Sequence, residues 1–204
     1  MQSLDPEETP VNADNAADEP AVTGDPAAVE KVELPSSMIS AWMRDLLFSV
    51  AVSFLIITFL YQPVRVEGTS MMPELRDQER LFINKFAYHF EQVKHDDVVV
   101  FRYPHDQNKS YIKRVIAGPG DTVRIDSGQV FVNNQPVAEP YVPVRYRDER
   151  SYPETKLAAS EYFVLGDHRS ISSDSRDFGP VDRSLIYGKA VFVYWPVNKI
   201  GVVR

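Results

Sequence analysis

The sequence predicts a mainly β protein with a single N-terminal transmembrane helix. Three observations predict it: one long uncharged stretch, a succession of short β-branched and aromatic runs after it, and turn-forming residues between those runs. No apolar period of 3.6 residues extends over a helix length beyond the uncharged stretch.

The chain has 204 residues, 44% of them hydrophobic and 25% charged, which is enough apolar material for one domain with appendages. Its net charge of −7 is unevenly placed. Residues 1–45 carry ten Asp or Glu against Lys31 and Arg44, leaving a net +1 for everything after them. No Lys/Arg run forms a cationic stripe, so the sequence offers nucleic acid no electrostatic footing. The absence of cysteine excludes a disulfide framework, a thiolate nucleophile and thiolate metal sites.

Residues 1–40 are rich in Pro, Ala, Asp, Glu and Asn. They lack the apolar surface that offsets ordering entropy, and are expected to be a disordered acidic tail. Residues 41–63 are the expected transmembrane helix. The uncharged stretch between Asp45 and Arg65 is 19 residues, about 28 Å as a helix, against a bilayer core of about 30 Å. Trp42 and Tyr61 stand at its two ends, where amphipathic rings favour the interface. A cleaved leader fits poorly, because an acidic region precedes the apolar stretch. Too few Lys and Arg precede the span for charge to orient it.

Residues 64–204 form the β-rich domain, a barrel or sandwich. Its runs are RLFINK (80–85), VVVFRY (98–103), YIKRVI (111–116), TVRI (122–125), QVFV (129–132), YFVL (162–165) and AVFVYW (190–195). Gly118-Pro119-Gly120, Ser127-Gly128, Asn133-Asn134 and Gly179-Pro180 punctuate them.

Four segments carry the chemistry. They are Val66-Glu67-Gly68-Thr69-Ser70-Met71-Met72-Pro73, His95-Asp96-Asp97-Val98-Val99-Val100-Phe101, Tyr111-Ile112-Lys113-Arg114-Val115-Ile116 through Asp121, and Gly166-Asp167-His168-Arg169 through Arg176. In order and spacing they resemble the four boxes of type I signal peptidases, from the membrane span to about Trp195. The resemblance implies a serine endopeptidase with a Ser/Lys dyad, Ser70 as nucleophile and Lys113 as general base.

Such a division of labour makes physical sense. A serine hydroxyl is a weak nucleophile until a base takes its proton, and lysine acts as that base only when neutral. Its reference pKa of about 10.4 must be depressed, and burial beside apolar neighbours such as Tyr111, Ile112, Val115 and Ile116 does that. On a strand, adjacent side chains face opposite sides, so Arg114 is expected to point away from the Lys113 site.

By the same resemblance, Ser172 orients the lysine, and Asp174 and Arg176 form a structural ion pair. The oxyanion is held by the Ser70 backbone N–H, and Val66, Met71, Leu75, Tyr111 and Ile112 line small apolar pockets for the residues before the cut, with alanine preferred at the first and third. Two departures stand out: His168 replaces the usual Asn, and Gly68 supplies no side-chain donor to the oxyanion. His168 raises a rival triad with Asp167 or Asp174, which would leave the Tyr-Ile-Lys-Arg run unexplained. No metal site is expected, since no His-Glu-x-x-His occurs and the carboxylates are scattered, and no cofactor is implied. Other Ser/Lys processing proteases and a non-catalytic membrane-tethered β domain are the alternatives.

The implied partners are the signal peptides of preproteins and the lipid bilayer, with the export translocon as a further candidate and no nucleic acid. The implied location is the cytoplasmic (inner) membrane, single-pass, with the catalytic domain on the extracytoplasmic side.

Overall fold

The computed structural model describes residues 36–204. The acidic segment 1–35, expected as most of a disordered tail, lies outside the described residues. Helix α1 (Ser36–Leu60) covers most of the expected span. It stops at Leu60, short of the expected residue 63, because Pro63 has no N–H for a helix and biases Gln62 towards extended backbone. The chain continues as a strand, β1 (Tyr61–Arg65), which sits at a sheet edge where proline is tolerated. Ser40–Leu60 is long and apolar enough to cross a membrane, about 31 Å as a helix. Its apolar side chains from Leu46 to Phe59 stand exposed, unlike those of a helix buried in a soluble core.

The remaining elements, among the described residues, are β2 (Arg80–Asn84), α2 (Ala87–Phe90), β3 (Val98–Tyr103), β4 (Asp106–Ala117), β5 (Thr122–Asp126), β6 (Gln129–Val132), β7 (Gln135–Pro136), β8 (Tyr152–Lys156), β9 (Glu161–Leu165), α3 (Ser175–Phe178), β10 (Val181–Asp182), β11 (Ile186–Trp195) and β12 (Gly201–Val202). All seven runs read from the sequence fall on strands, so the chain is mainly β as predicted. The pairing is antiparallel throughout, in two sheets. The large one runs β1-β2-β11-β3-β4-β9-β10 with β12 beside β11, and the small one β7-β6-β5-β8.

Strand β3 explains why its run is continuous instead of alternating. Val98 and Val100 pack with Val66, Met71, Leu75 and Leu81, while Val99 and Phe101 pack on the other face with Val115, Val164 and Ile186. A strand covered on both faces requires apolar residues at every position. A third cluster joins the small sheet to the large one, through Val123, Ile125 and Val130 against Ile116, Phe163 and Leu165. The two tight hairpin turns of the small sheet use residues with positive φ at both central positions, Ser127 and Gly128 (46° and 82°), then Asn133 and Asn134 (51° and 64°). This turn chemistry matches the twist of the flanking strands.

Candidate active site

Ser70 sits on a turn that follows β1. Gly68, at φ +92°, permits the change of direction, and its N–H donates to Asp77 Oδ1 at 2.8 Å. The ends of the excursion are clipped together by Val66 N–H to the Glu79 carbonyl (2.8 Å) and Gln78 N–H to the Val66 carbonyl (2.9 Å). Met71 and Leu75, next along the chain, are 1% and 0% exposed and pin the turn into the core. The Ser70 carbonyl accepts the His168 N–H at 3.0 Å, which ties this turn to the last of the four segments. Gly166 makes that approach possible, since a Cβ there would collide with the Ser172 hydroxyl and come within 2.6 Å of the Ser70 carbonyl oxygen.

Lys113 comes from β4, paired with Val99 of β3. Its Nζ donates to Ser70 Oγ at 2.7 Å, although the side chain is only 4% exposed. Burial lowers the lysine from an ordinary value near 10.5 to about 8, against the opposing pull of the Asp174 and Asp167 carboxylates. Among the described residues no carboxylate lies within ion-pair distance of Nζ. A lysine held this way spends a useful fraction of its time neutral near physiological pH, and a neutral amine 2.7 Å from a hydroxyl can accept its proton.

Arg114 takes the opposite face of β4, as the period of two predicts. It is 1% exposed, and its guanidinium grips Asp167 through two parallel bonds, Nε to Oδ1 at 2.9 Å and Nη2 to Oδ2 at 2.7 Å. Nη1 donates to the carbonyls of Asp96 (3.1 Å) and Arg204 (2.7 Å). The expected Asp174–Arg176 pair is present and equally buried, with Nε to Oδ1 and Nη2 to Oδ2 both at 2.8 Å. Asp174 also caps α3 and accepts the Gly166 N–H at 3.1 Å. Burial alone would raise its pKa, but the hydrogen bonds and charge of Arg176 outweigh that and hold it below the usual carboxylate value.

Ser172 is buried beside Gly166 but donates no hydrogen bond to Lys113; its hydroxyl lies near the Asp174 carboxylate and helps hold that group's pKa down. The expectation that Ser172 orients the lysine is therefore not met in this arrangement, where the hydroxyl packs against the Gly166 backbone. The triad alternative also fails. Asp167 and Asp174 are each taken by an arginine, His168 Nδ1 is buried without a hydrogen-bond partner among the described residues, and the ring leans on Tyr146 at 4.1 Å.

A cleft of about 780 Å³ opens at Ser70. Val66, Tyr111 and Ile112 line it as expected, together with Val64, Ile171 and Tyr187. Met71 and Leu75 do not. They are sealed within the core, so their expected place on the pocket wall is corrected to one of anchoring the Ser70 turn. The Ser70 N–H carries no hydrogen bond to any described residue, which leaves it available to an oxygen in the cleft. Among the described residues no group of three His, Cys, Asp or Glu side chains could hold a metal ion.

Sequence reasoning missed the support behind the last segment. Arg176 also holds Asp148 (2.8 Å), Arg150 joins Asp148 (2.7 Å) and the carbonyls of Arg169 (2.6 Å) and Ser172 (3.1 Å), and Arg169 pairs with Glu139 (2.6 Å). Glu139, Asp148 and Arg150 come from the excursion between β4 and β9. In the sequence these residues read as solvated loop charges, and no local pattern marks them.

Residues 39–195 match the family described as Signal peptidase, peptidase S26. A signal peptidase I of Bacillus licheniformis is 33% identical over 180 residues, covering 84% of this chain and 96% of that protein. One of Leptolyngbya laminosa is 37% identical over 163 residues, covering 75% and 78%. A crystal structure of a signal peptidase I from Enterococcus faecalis aligns with 25% identity and a TM-score of 0.43, over 48% of this chain and 97% of that one. With the family pattern covering most of the chain and relatives this similar over most of their length, the chain belongs to the signal peptidase family, peptidase S26.

Proposed function

We propose that the chain is a membrane-bound serine endopeptidase that removes N-terminal signal peptides from exported preproteins by acyl transfer through Ser70 and Lys113. The observation that carries this reading is the 2.7 Å contact between Ser70 Oγ and the buried Lys113 Nζ. With a pKa of about 8, about a tenth of the lysine is neutral at pH 7. Neutral Lys113 takes the Ser70 proton as Oγ attacks the scissile carbonyl, and returns it to the leaving amine; water then releases the acyl-enzyme. The Ser70 N–H faces the developing oxyanion, with no help from a side chain at Gly68.

The cleft suits an extended peptide. Strand β1 is an edge strand, and β9 covers β4 only from Arg114 onward, so both leave backbone groups unpaired where they border the cleft. A substrate strand adding there places alternate side chains against Val66, Tyr111 and Ile112, and small residues such as alanine before the cut fit that wall. The apolar α1 supports anchoring in a membrane; we take that membrane to be the cytoplasmic one, with the β domain on the extracytoplasmic side and the export translocon as a candidate partner. Cleavage of a preprotein by the full chain, beside Ser70→Ala and Lys113→Arg, tests the dyad: both variants should be inactive with unchanged circular dichroism. Residual processing by Ser70→Ala would refute it. Added protease should digest the β domain in intact spheroplasts, and its protection there would reverse the orientation.

A further inference from the structure

A second cavity of about 650 Å³ lies beside the end of α1, and nothing in the proposed peptidase chemistry uses it. Gln62 of β1, Lys85, Tyr88, His89, Arg102 and Arg183 line it, with no Asp or Glu. The Lys85 N–H donates to the carbonyl of Leu60, the last residue of α1, at 3.3 Å. The cavity mouth is thus fixed at the point where the chain leaves its apolar helix.

Lys85, Arg102 and Arg183 have no carboxylate within ion-pair distance among the described residues, and none lies on the cavity wall. Arg183 is nonetheless held in place, donating to the carbonyls of Tyr88 (2.6 Å) and Ile186 (3.1 Å) and lying over the Tyr88 ring. Lys85, Arg102 and Arg183 line one concavity with no carboxylate on its wall, so an anion entering it meets three cations. A second, independent feature adjoins it. Helix α2 buries Tyr88 but turns Phe90 outward at 87% exposure, with Phe86 at 39% beside Lys85. Exposed aromatic rings flanking cations at the end of a membrane span are what an interfacial surface requires.

We propose that this cavity binds the phosphate of an anionic phospholipid headgroup, with Phe86 and Phe90 entering the acyl boundary around it. A phosphodiester offers its oxygens to a guanidinium fork and an ammonium together. Attraction to an anionic bilayer surface then orients the β domain against the membrane. The site rests on the membrane-anchored reading given above. Ser110 and Tyr187 line both this cavity and the Ser70 cleft, so a lipid held here would set the height of the cleft above the bilayer.

The chain has no cysteine, so Phe90→Cys labelled with a polarity-sensitive fluorophore reports on α2 alone. The labelled full chain is reconstituted in phosphatidylcholine vesicles containing increasing phosphatidylglycerol. The expected result is a saturable blue shift, and in the Lys85→Glu/Arg102→Glu variant about tenfold or more anionic lipid is needed for the same shift. An unchanged emission across lipid compositions, or equal shifts in the parent and the charge-reversed variant, would overturn the proposal. So would a shift produced by glycerol phosphate over pure phosphatidylcholine, which would make this a soluble-phosphate site. Loss of cleavage confined to preproteins with acidic residues near the cut, in pure phosphatidylcholine, would assign the cavity to the substrate instead. Vesicle flotation separates the two readings: a chain that fails to float with either lipid contradicts the anchor, whereas one that floats with both but shows no lipid-dependent shift contradicts only the headgroup site. Retained cleavage in detergent controls for folding of the charge-reversed variant.

Discussion

Lys113 and Arg114 are neighbours on β4 and almost equally hidden, 4% and 1% exposed, yet their charged ends meet opposite environments. Arg114 meets a carboxylate squarely, with two parallel hydrogen bonds to Asp167 and two backbone carbonyls besides. Lys113 meets a hydroxyl, and no carboxylate is close enough to pair with it. Burial penalises charge in both. For the arginine the penalty is offset, its pKa is raised and the ion stays; for the lysine the penalty remains, and the pKa falls to about 8. One side of the strand is built to keep a charge and the other to give one up. A buried cation without its counterion costs stability in the fold, and such a cost is characteristic of functional sites.

The comparison can be broken in several ways. The largest effect is expected from Lys113→Arg, which brings to the cleft a group that keeps its proton, and from Ser70→Ala. Each should lower kcat/KM by about 10⁴-fold or more in a preprotein assay. Next come the methionine replacements, read by chemical denaturation. Arg114→Met strands the Asp167 carboxylate in the core and should destabilise the domain by about 3–5 kcal/mol. Lys113→Met should stabilise it at pH 7 by about 3 kcal/mol, because it removes a buried charge that has no counterion. The sign follows from linkage. The unfolded lysine holds its proton up to about 10.5 and the folded one only to about 8, so its penalty is complete below pH 8 and relieved as pH rises to 10.5. Stability of the parent domain should climb across that window relative to Lys113→Met.

Gly166→Ala is expected to act on the other partner. Its methyl group would press on the Ser172 hydroxyl and the Ser70 carbonyl, moving the Ser70 hydroxyl away from Lys113. A loss of about 1–3 kcal/mol in stability is expected, with kcat reduced more than KM is raised. The smallest effect should come from His168→Asn. Its ring neither reaches a carboxylate nor serves Ser70 in this geometry, and a pH profile with its acidic limb unmoved is expected. A limb near 6 to 7 that vanished in this variant would reinstate an imidazole base.

How far the sequence reads ahead of the structure differs between these same regions. The seven β-branched runs are legible because period and turn chemistry are local, and the opposite facing of Lys113 and Arg114 follows from strand geometry alone. Pro63 is equally local, yet the uncharged stretch hides the change from helix to strand at Leu60. Glu139, Asp148 and Arg150 are not legible: the partners that tie them to the last segment lie 19 to 30 positions away, as in Arg150–Arg169, Arg176–Asp148 and Arg169–Glu139, and nothing nearby distinguishes a loop charge that will be buried from one that will not. Met71 and Leu75 mark the same limit, since an apolar residue beside a nucleophile reads alike whether it faces the substrate or the core. Their burial depends on β2, β3 and β11 closing over them.

The central claim is that Lys113 is a lysine able to lose its proton near neutrality, and the titration of that one side chain tests it most directly. The full chain, labelled with ¹³C at lysine Cε and held in detergent, is followed by NMR from pH 6 to 12, with Lys113→Met identifying the resonance. A Lys113 midpoint near 8 is expected. A Lys113 midpoint at or above 10 would contradict it, because the amine next to Ser70 would then be charged throughout the range in which a general base has to work.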